Sequence, residues 1–284
     1  MARKRVFIPL FIGMVLWLRS VSSTPVVYAE GRPWSVQGGL EPLIVGGNVQ
    51  IREFDIVGTK LDLAEDLDMG RFTVLPFVAI EYRFLQKNAL SLSFDYMRLS
   101  GDAKLGKAIN FNGETFPSGT AIHSTSDLYH LQLLYRRSLT RWRAKDDLNL
   151  LAGLDYTRLI FNLESEIPIA SQFGGPEDFK QSLPFPVLGL EATYQLSPKM
   201  RLEGRFLGMK LTNLNTHQEE GGTLLQDETL IDSTLTATHL FSDRFSLQMA
   251  LTYRYFTQNL TGEEDGNFAY ISGIGVLLSA EYKF

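Results

Sequence analysis

The feature of this sequence that most constrains its fold is an alternation of apolar and polar side chains over long stretches. In the stretch from Phe245 to Phe256, the side chains of Leu247, Met249 and Leu251 share one face and that of Gln248 lies on the other. Because side chains of an extended chain point to opposite sides in turn, a period of two predicts β-strands. The predicted strands are residues 34–45, 72–84, 90–97, 126–138, 147–159, 184–196, 200–211, 230–241, 245–256 and 274–284.

The links between these stretches are short and long in turn. The short links are residues 85–88, 142–146, 197–199 and 242–244, and the long polar links are residues 49–69, 100–125, 162–182, 213–228 and 259–267. Short turns at one rim and long loops at the other predict an antiparallel up-and-down β-barrel with both chain ends at the short-turn rim. The expected fold is therefore all-β with ten strands, and eight or twelve strands are the alternatives.

Composition excludes several other classes of protein. The chain of 284 residues lacks the repeated apolar stretches of about 20 residues that a polytopic helical membrane protein needs. It contains no cysteine, which excludes disulfides and thiolate metal sites. Its net charge of −5 provides no basic surface for nucleic acid.

The apolar face of the strands is interpreted as facing lipid, and the alternative is a secreted barrel of lipocalin type with that face inside. The opposite face is rich in Ser, Thr, Gly and Gln instead of the Lys and Glu of a solvated exterior. Aromatic side chains gather near both ends of the apolar face, as in the interfacial girdles of membrane barrels. They are Trp34, Phe84, Tyr135, Tyr194, Phe241 and Phe284 at the short-turn rim, and Phe72, Tyr96, Tyr129, Tyr156, Phe206 and Tyr270 at the loop rim. The sequence therefore predicts a transmembrane β-barrel whose short turns lie in the periplasm.

Residues 1–29 are predicted to be a cleaved signal peptide, and residues 30–284 a single barrel domain. Basic side chains at residues 3–5 precede an apolar stretch at residues 6–18, and Ala29 fits the position before a cleavage site. The alternative is an uncleaved anchor helix, although the apolar stretch is short for a membrane span. The chain is therefore expected to be exported.

The last strand carries a more specific resemblance. It ends in Ala280-Glu281-Tyr282-Lys283-Phe284, with a terminal aromatic residue and another two positions earlier. This ending resembles the signal that the assembly machinery of bacterial outer-membrane barrels reads, and the whole mature chain resembles small barrels of the OmpA and OmpW kind. The resemblance implies a location in the outer membrane of a Gram-negative envelope, with Tyr282 and Phe284 as the assembly signal. It also implies barrel-assembly machinery, outer-membrane lipids and lipopolysaccharide as partners, but it fixes no activity.

If the apolar face meets lipid, the ionisable side chains of the other face line the lumen. The expected polar network consists of Glu41, Glu81, Arg83, Asp95, Asp155, Glu191, Glu203, Arg205, Arg254 and Glu281, and the same face carries His130, Arg136, Asp232 and Lys283. A narrow barrel is nearly filled by its own side chains, and charges inside it must be paired or hydrated. The network therefore predicts either a cross-linked plug or a constricted polar pore that passes a small solute.

Enzymatic interpretations rest on the four histidines, which are His123, His130, His217 and His239. His123 lies near Asp127, Ser124 and Ser126, but neither an omptin-type acidic motif nor a hydrolase motif accompanies it. Acidic residues at 62–68 and 263–265 lack the spacing of a calcium loop. We therefore assign no catalytic residue, cofactor or metal ligand. The expected function is an envelope structural protein or a narrow, porin-like channel for small solutes, and the alternative is an outer-membrane hydrolase acting at the loop rim.

Overall fold

The computed structural model describes residues 33–53, 56–84, 87–143, 146–165, 177–180, 184–217, 223–262 and 265–284, so the predicted signal peptide lies outside the described residues. In this part of the chain the secondary structure is entirely β, and no helix is long and apolar enough to cross a membrane. The strands are β1 (Trp34–Glu53), β2 (Leu61–Asp62), β3 (Phe72–Arg83), β4 (Asn88–Lys104), β5 (Ile109–Phe111), β6 (Glu114–Phe116), β7 (Ala121–Arg143), β8 (Asp146–Ser165), β9 (Glu177–Lys180), β10 (Phe185–Ser197), β11 (Met200–His217), β12 (Thr223–Leu240), β13 (Phe245–Thr261) and β14 (Asp265–Lys283).

Ten of these strands form a closed antiparallel ring. Its order is β1, β3, β4, β7, β8, β10, β11, β12, β13 and β14, and β14 returns to pair with β1 from Ser35–Lys283 to Glu53–Asp265. The short strands β2 and β9 pair with β1 and β8, and β5 and β6 form a separate hairpin. A closed ring pairs the backbone groups of its wall, which an open sheet in lipid cannot do. The predicted ten-stranded up-and-down barrel is confirmed.

The outer wall is apolar for the first ten or so residues above the short-turn rim. On β13, Leu247, Met249 and Leu251 are 44%, 57% and 54% exposed, whereas Ser246 and Thr252 are buried inside the barrel. The aromatic side chains predicted for the two girdles lie on this outer face. The band they enclose therefore matches a lipid-facing wall.

Farther from the short-turn rim, the strands reverse this pattern. On β1, Val49 and Ile51 are 1% exposed inside the barrel, while Asn48 and Gln50 point outward. A 20-residue strand rises about 3.3 Å per residue, so at a tilt of about 40° β1 reaches about 50 Å, twice the apolar band of about 25 Å. The outer half of the wall therefore stands in water, where the apolar side chains belong inside. The strands consequently extend farther into the predicted long links than expected, since β1 continues to Glu53.

An apolar core, which we call the outer core, fills this outer half. Wall residues such as Leu159 and Phe161 contribute to it, together with side chains from the links between strands. Those from the links are Leu61, Leu63, Leu67, Met69, Leu105, Ile109, Phe111 and Phe116. The β5–β6 hairpin turns at Asn112 and Gly113, whose φ angles of 48° and 73° suit a tight two-residue turn, and its Phe111 ring lies 5.5 Å from that of Phe161.

Candidate functional site

The centre of the lumen holds a charged cluster, which we call the central layer. The guanidinium of Arg254 on β13 donates from Nη2 to Glu41 Oε2 at 2.7 Å and from Nη1 to Asp95 Oδ1 at 2.9 Å. Glu41 is 0% exposed and Asp95 is 2% exposed, and the hydroxyl of Thr252 also donates to Glu41. Two buried carboxylates from β1 and β4 are therefore held by one cation from β13.

His130 extends the central layer toward β8. Its Nδ1 lies 2.9 Å from Asp95 Oδ2, and its Nε2 lies 2.6 Å from Asp155 Oδ2. Gln132 and Thr157 also donate to Asp155, at 2.9 Å and 3.1 Å. An ionised carboxylate only accepts hydrogen bonds, so with Asp95 and Asp155 both ionised the two ring nitrogens of His130 donate and the imidazole carries a positive charge. The layer then holds three carboxylates against two cations.

A second cluster lies between the central layer and the short-turn rim. Arg136 on β7 donates to Glu81 Oε2 at 2.7 Å and to Glu191 Oε1 at 3.1 Å. Arg83 donates to the other oxygen of Glu81 at 2.8 Å, and Asn149 donates to Glu191 at 2.9 Å. This cluster links β3, β7, β8 and β10 across the lumen.

The remaining lumen charges form smaller groups. Arg205 lies 3.4 Å from Asp232, and Lys283 lies 3.5 Å from Glu281. Glu203 makes no hydrogen bond or close ion pair within the described part of the chain. The predicted network is thus divided into separate clusters, and Glu203 stands apart from all of them.

Three cavities follow one another along the lumen. A cavity of about 240 Å³ lies at the short-turn rim, where Lys87 and Asn88 line it. A polar cavity of about 130 Å³ separates the second cluster from the central layer. Beyond the central layer, a cavity of about 60 Å³ has apolar walls that include Leu43 and Leu230. Beyond the central layer the interior is more apolar, although Gln226, Glu228 and Gln258 are also buried on the inner faces of β12 and β13.

His123, near the long-loop rim, does not form the arrangement of serine and histidine that a serine hydrolase needs. His123 Nδ1 lies 2.7 Å from Asp102 Oδ1, not beside Asp127, whose carboxylate accepts from the hydroxyl of Tyr96. Ser124 and Ser126 are 1% and 0% exposed, on the opposite face of β7. Because neighbours in a strand point to opposite sides, His123 cannot activate either serine. The interpretation of these residues as a nucleophile and its base is therefore wrong.

The other two histidines add no site. His239 lies on the outer wall near the short-turn rim, where its Nδ1 is 3.3 Å from the sulfur of Met200. The side chain of His217 lies outside the described residues.

The acidic segment at residues 62–68 has a structural explanation. The carboxylate of Asp62 accepts from the backbone nitrogens of Ala64 and Glu65, each at 2.9 Å, and the carboxylate of Asp66 accepts from the backbone nitrogen of Asp62 at 2.9 Å. Lys107 pairs with Asp66 at 3.5 Å. Within the described ranges, no group of three His, Asp or Glu side chains could hold a metal ion. Residues 263 and 264 of the other acidic segment lie outside the described part.

Comparisons with known proteins locate the fold. No protein-family model matches the chain, and no curated protein matches its sequence. Among solved structures, the chain is similar to the outer membrane protease OmpT from Escherichia coli, with a TM-score of 0.52, 11% identity, and coverage of 91% of this chain and 100% of that one. The translocator domain of the autotransporter NalP from Neisseria meningitidis matches with a TM-score of 0.45, 14% identity and 97% coverage of each chain.

OprG from Pseudomonas aeruginosa matches with a TM-score of 0.36, 10% identity, and coverage of 89% of this chain and 96% of that one. At 11% identity, the likeness to OmpT shows the fold alone and transfers no activity. The chain therefore has the fold of outer-membrane β-barrels, and the apolar band of its outer wall matches a surface that faces lipid.

Proposed function

We propose that the protein is a closed structural barrel of the outer membrane that conducts no ions in its resting form. The observation that supports this proposal is the crowding of the lumen in the described part of the chain: the central layer bridges β1, β4, β7, β8 and β13, and the outer core packs beyond it. An aqueous pore needs a continuous polar path, and the wide porins that provide one have 16–18 strands. In this role the wall contacts membrane lipids and lipopolysaccharide.

Single-channel recording in planar bilayers tests the proposal. Barrels that have inserted, as judged by heat-modifiable migration in electrophoresis, are expected to give no steady current, while a 16-stranded porin inserted by the same procedure gives the usual steps. Steady current from the wild-type barrel would instead support the narrow small-solute channel. The next measurement would then be the ion selectivity of the channel and its dependence on Arg254 and Arg136.

A hydrolase acting at the loop rim is the second candidate, and one observation favours it. His123 and Asp102 form an exposed Asp–His pair on the outer face, of the kind that can orient a general base. No hydroxyl of the described residues contacts the pair. Cleavage of fluorogenic peptides that is lost in His123→Gln but kept in His239→Gln would establish this activity, and no cleavage by the wild type would remove it.

A further inference from the structure

The cavity at the short-turn rim, which we call the vestibule, is lined by charged side chains that lie outside the two clusters described above, among them Lys87, Arg201 and Glu203. Arg201 and Glu203 are two residues apart on β11, so both point into the lumen, and both line this cavity of about 240 Å³. Arg136 and Glu191 of the second cluster line the same cavity. The vestibule is therefore a polar recess in which Arg201 and Glu203 lie side by side without close partners in the described part of the chain, and the exposed Lys87 lines the same recess.

Neither Arg201 nor Glu203 has a close partner in the described part of the chain. Arg201 makes no ion pair there, and its Nε is buried without a hydrogen-bond acceptor. The carboxylate of Glu203 lies near the like charge of Glu191 and the opposite charges of Arg201, Arg136 and Arg205, and it accepts no hydrogen bond from the three arginines. A buried donor without an acceptor is unfavourable, so a ligand that accepts a hydrogen bond from Arg201 makes an interaction that the protein alone does not make.

The charges of the vestibule specify the kind of ligand. A simple anion would satisfy Arg201 but meet the carboxylates of Glu191 and Glu203, and a simple cation would meet the cations of the lining, which are Arg83, Lys87, Arg136 and Arg201. A molecule with a carboxylate and an ammonium group meets both signs favourably. The cavity of about 240 Å³ has room for roughly 16–24 waters, since a water needs about 10–15 Å³ of this volume.

We propose that the vestibule binds small zwitterions of the amino-acid or dipeptide class from the periplasmic side. In this site Arg201 donates hydrogen bonds to the carboxylate of the ligand, and its ammonium group donates to Glu203. The site is blind, because the second cluster and the central layer close its inner end. Binding at this site needs no conduction, so it goes beyond the proposed role as a closed barrel.

Isothermal titration of the folded barrel in detergent with glycylglycine tests the proposal. Saturable binding is expected with a dissociation constant on the order of 1 mM. Acetate and methylammonium, which each carry half of the charge pattern, are expected to bind more weakly by about tenfold. The absence of saturable heat, or equal binding of acetate, would overturn the assignment.

Variants separate the site from general effects of charge. Arg201→Gln and Glu203→Gln are each expected to weaken glycylglycine binding by about tenfold, whereas Arg201→Lys retains more of it. The matched controls are Lys107→Gln and Glu65→Gln, which make the same charge changes at the far rim and are expected to bind as the wild type does. Each variant is first shown to be folded by heat-modifiable migration. Wild-type binding by both folded Arg201→Gln and Glu203→Gln would refute the proposal.

Discussion

Arg254 is the cation on which the central layer depends, so its replacement by methionine is the most informative perturbation. The substitution keeps most of the side-chain length but leaves Glu41 and Asp95, 0% and 2% exposed, without the guanidinium that holds them at 2.7 Å and 2.9 Å. Removing one member of a buried ion pair costs about 3–5 kcal/mol. Because the Arg254 side chain is 23% exposed beside a cavity of about 130 Å³, water can partly replace it, so we expect about 3 kcal/mol.

The assay is urea unfolding of the barrel in phospholipid vesicles, followed by tryptophan fluorescence. Trp34 reports on closure of the ring, because it lies on β1, which pairs with β14. The control is Arg98→Met, whose side chain is 60% exposed and 3.9 Å from Asp127, so it should cost less than about 1 kcal/mol. Adding Glu41→Gln to Arg254→Met should recover part of the loss. If Arg254→Met costs no more than Arg98→Met, the central layer does not hold the barrel as described.

Three further predictions concern the wall, the outer core and assembly. Met249→Arg places a cation on the lipid-facing wall and should lower the free energy of unfolding in vesicles by about 2–4 kcal/mol near the midplane, with Gln248→Arg costing less. Phe161→Ala removes a ring that is 0% exposed and should cost about 3–5 kcal/mol in the same assay, and a cost below about 1 kcal/mol would mean that the outer core is not packed. Deleting Phe284, or replacing it and Tyr282 by serine, should sharply reduce the heat-modifiable fraction that reaches the outer membrane, and normal assembly would contradict the assembly signal.

The wall of the barrel could be predicted from the sequence because lipid imposes a simple rule on it. Most outward side chains in the band must be apolar, and each strand must cross the bilayer, so the period of two repeats from strand to strand. The face containing Leu247, Met249 and Leu251 followed directly from this rule. The strand count followed as well, because short turns and long links alternate.

The outer core could not be predicted, because alternation alone does not reveal which face is inside. Above the band, water instead of lipid surrounds the wall. The apolar side chains of the same alternation therefore point into the barrel instead of outward. The segment at residues 61–69 was interpreted as a polar loop, although Leu61, Leu63, Leu67 and Met69 recur in it. Similarly, Asn112 and Gly113 between apolar residues are a hairpin signal that the sequence interpretation left out.

The polar site could be predicted in its location but not in its pairing. Residues of one face share a lumen, yet the contact of Glu41 with Arg254 depends on strand register and tilt around the whole ring, which no local pattern encodes. The role of His130 as the bridge between Asp95 and Asp155 follows from the same geometry. The sequence prediction did not include Arg201 among the lumen residues, although Arg201 and Glu203 are two positions apart on β11 and therefore share one face of the strand.

A cysteine scan along β13 tests the central claim that the barrel reverses its faces between bilayer and water. The native chain has no cysteine, so each single substitution reports alone. We predict that position 249 reacts only with lipid-soluble maleimides, that position 259 reacts with water-soluble ones added from outside, and that position 260, buried in the outer half of the wall, reacts with neither. Reaction of position 260 with water-soluble reagents, or of position 259 only with lipid-soluble ones, would contradict the account.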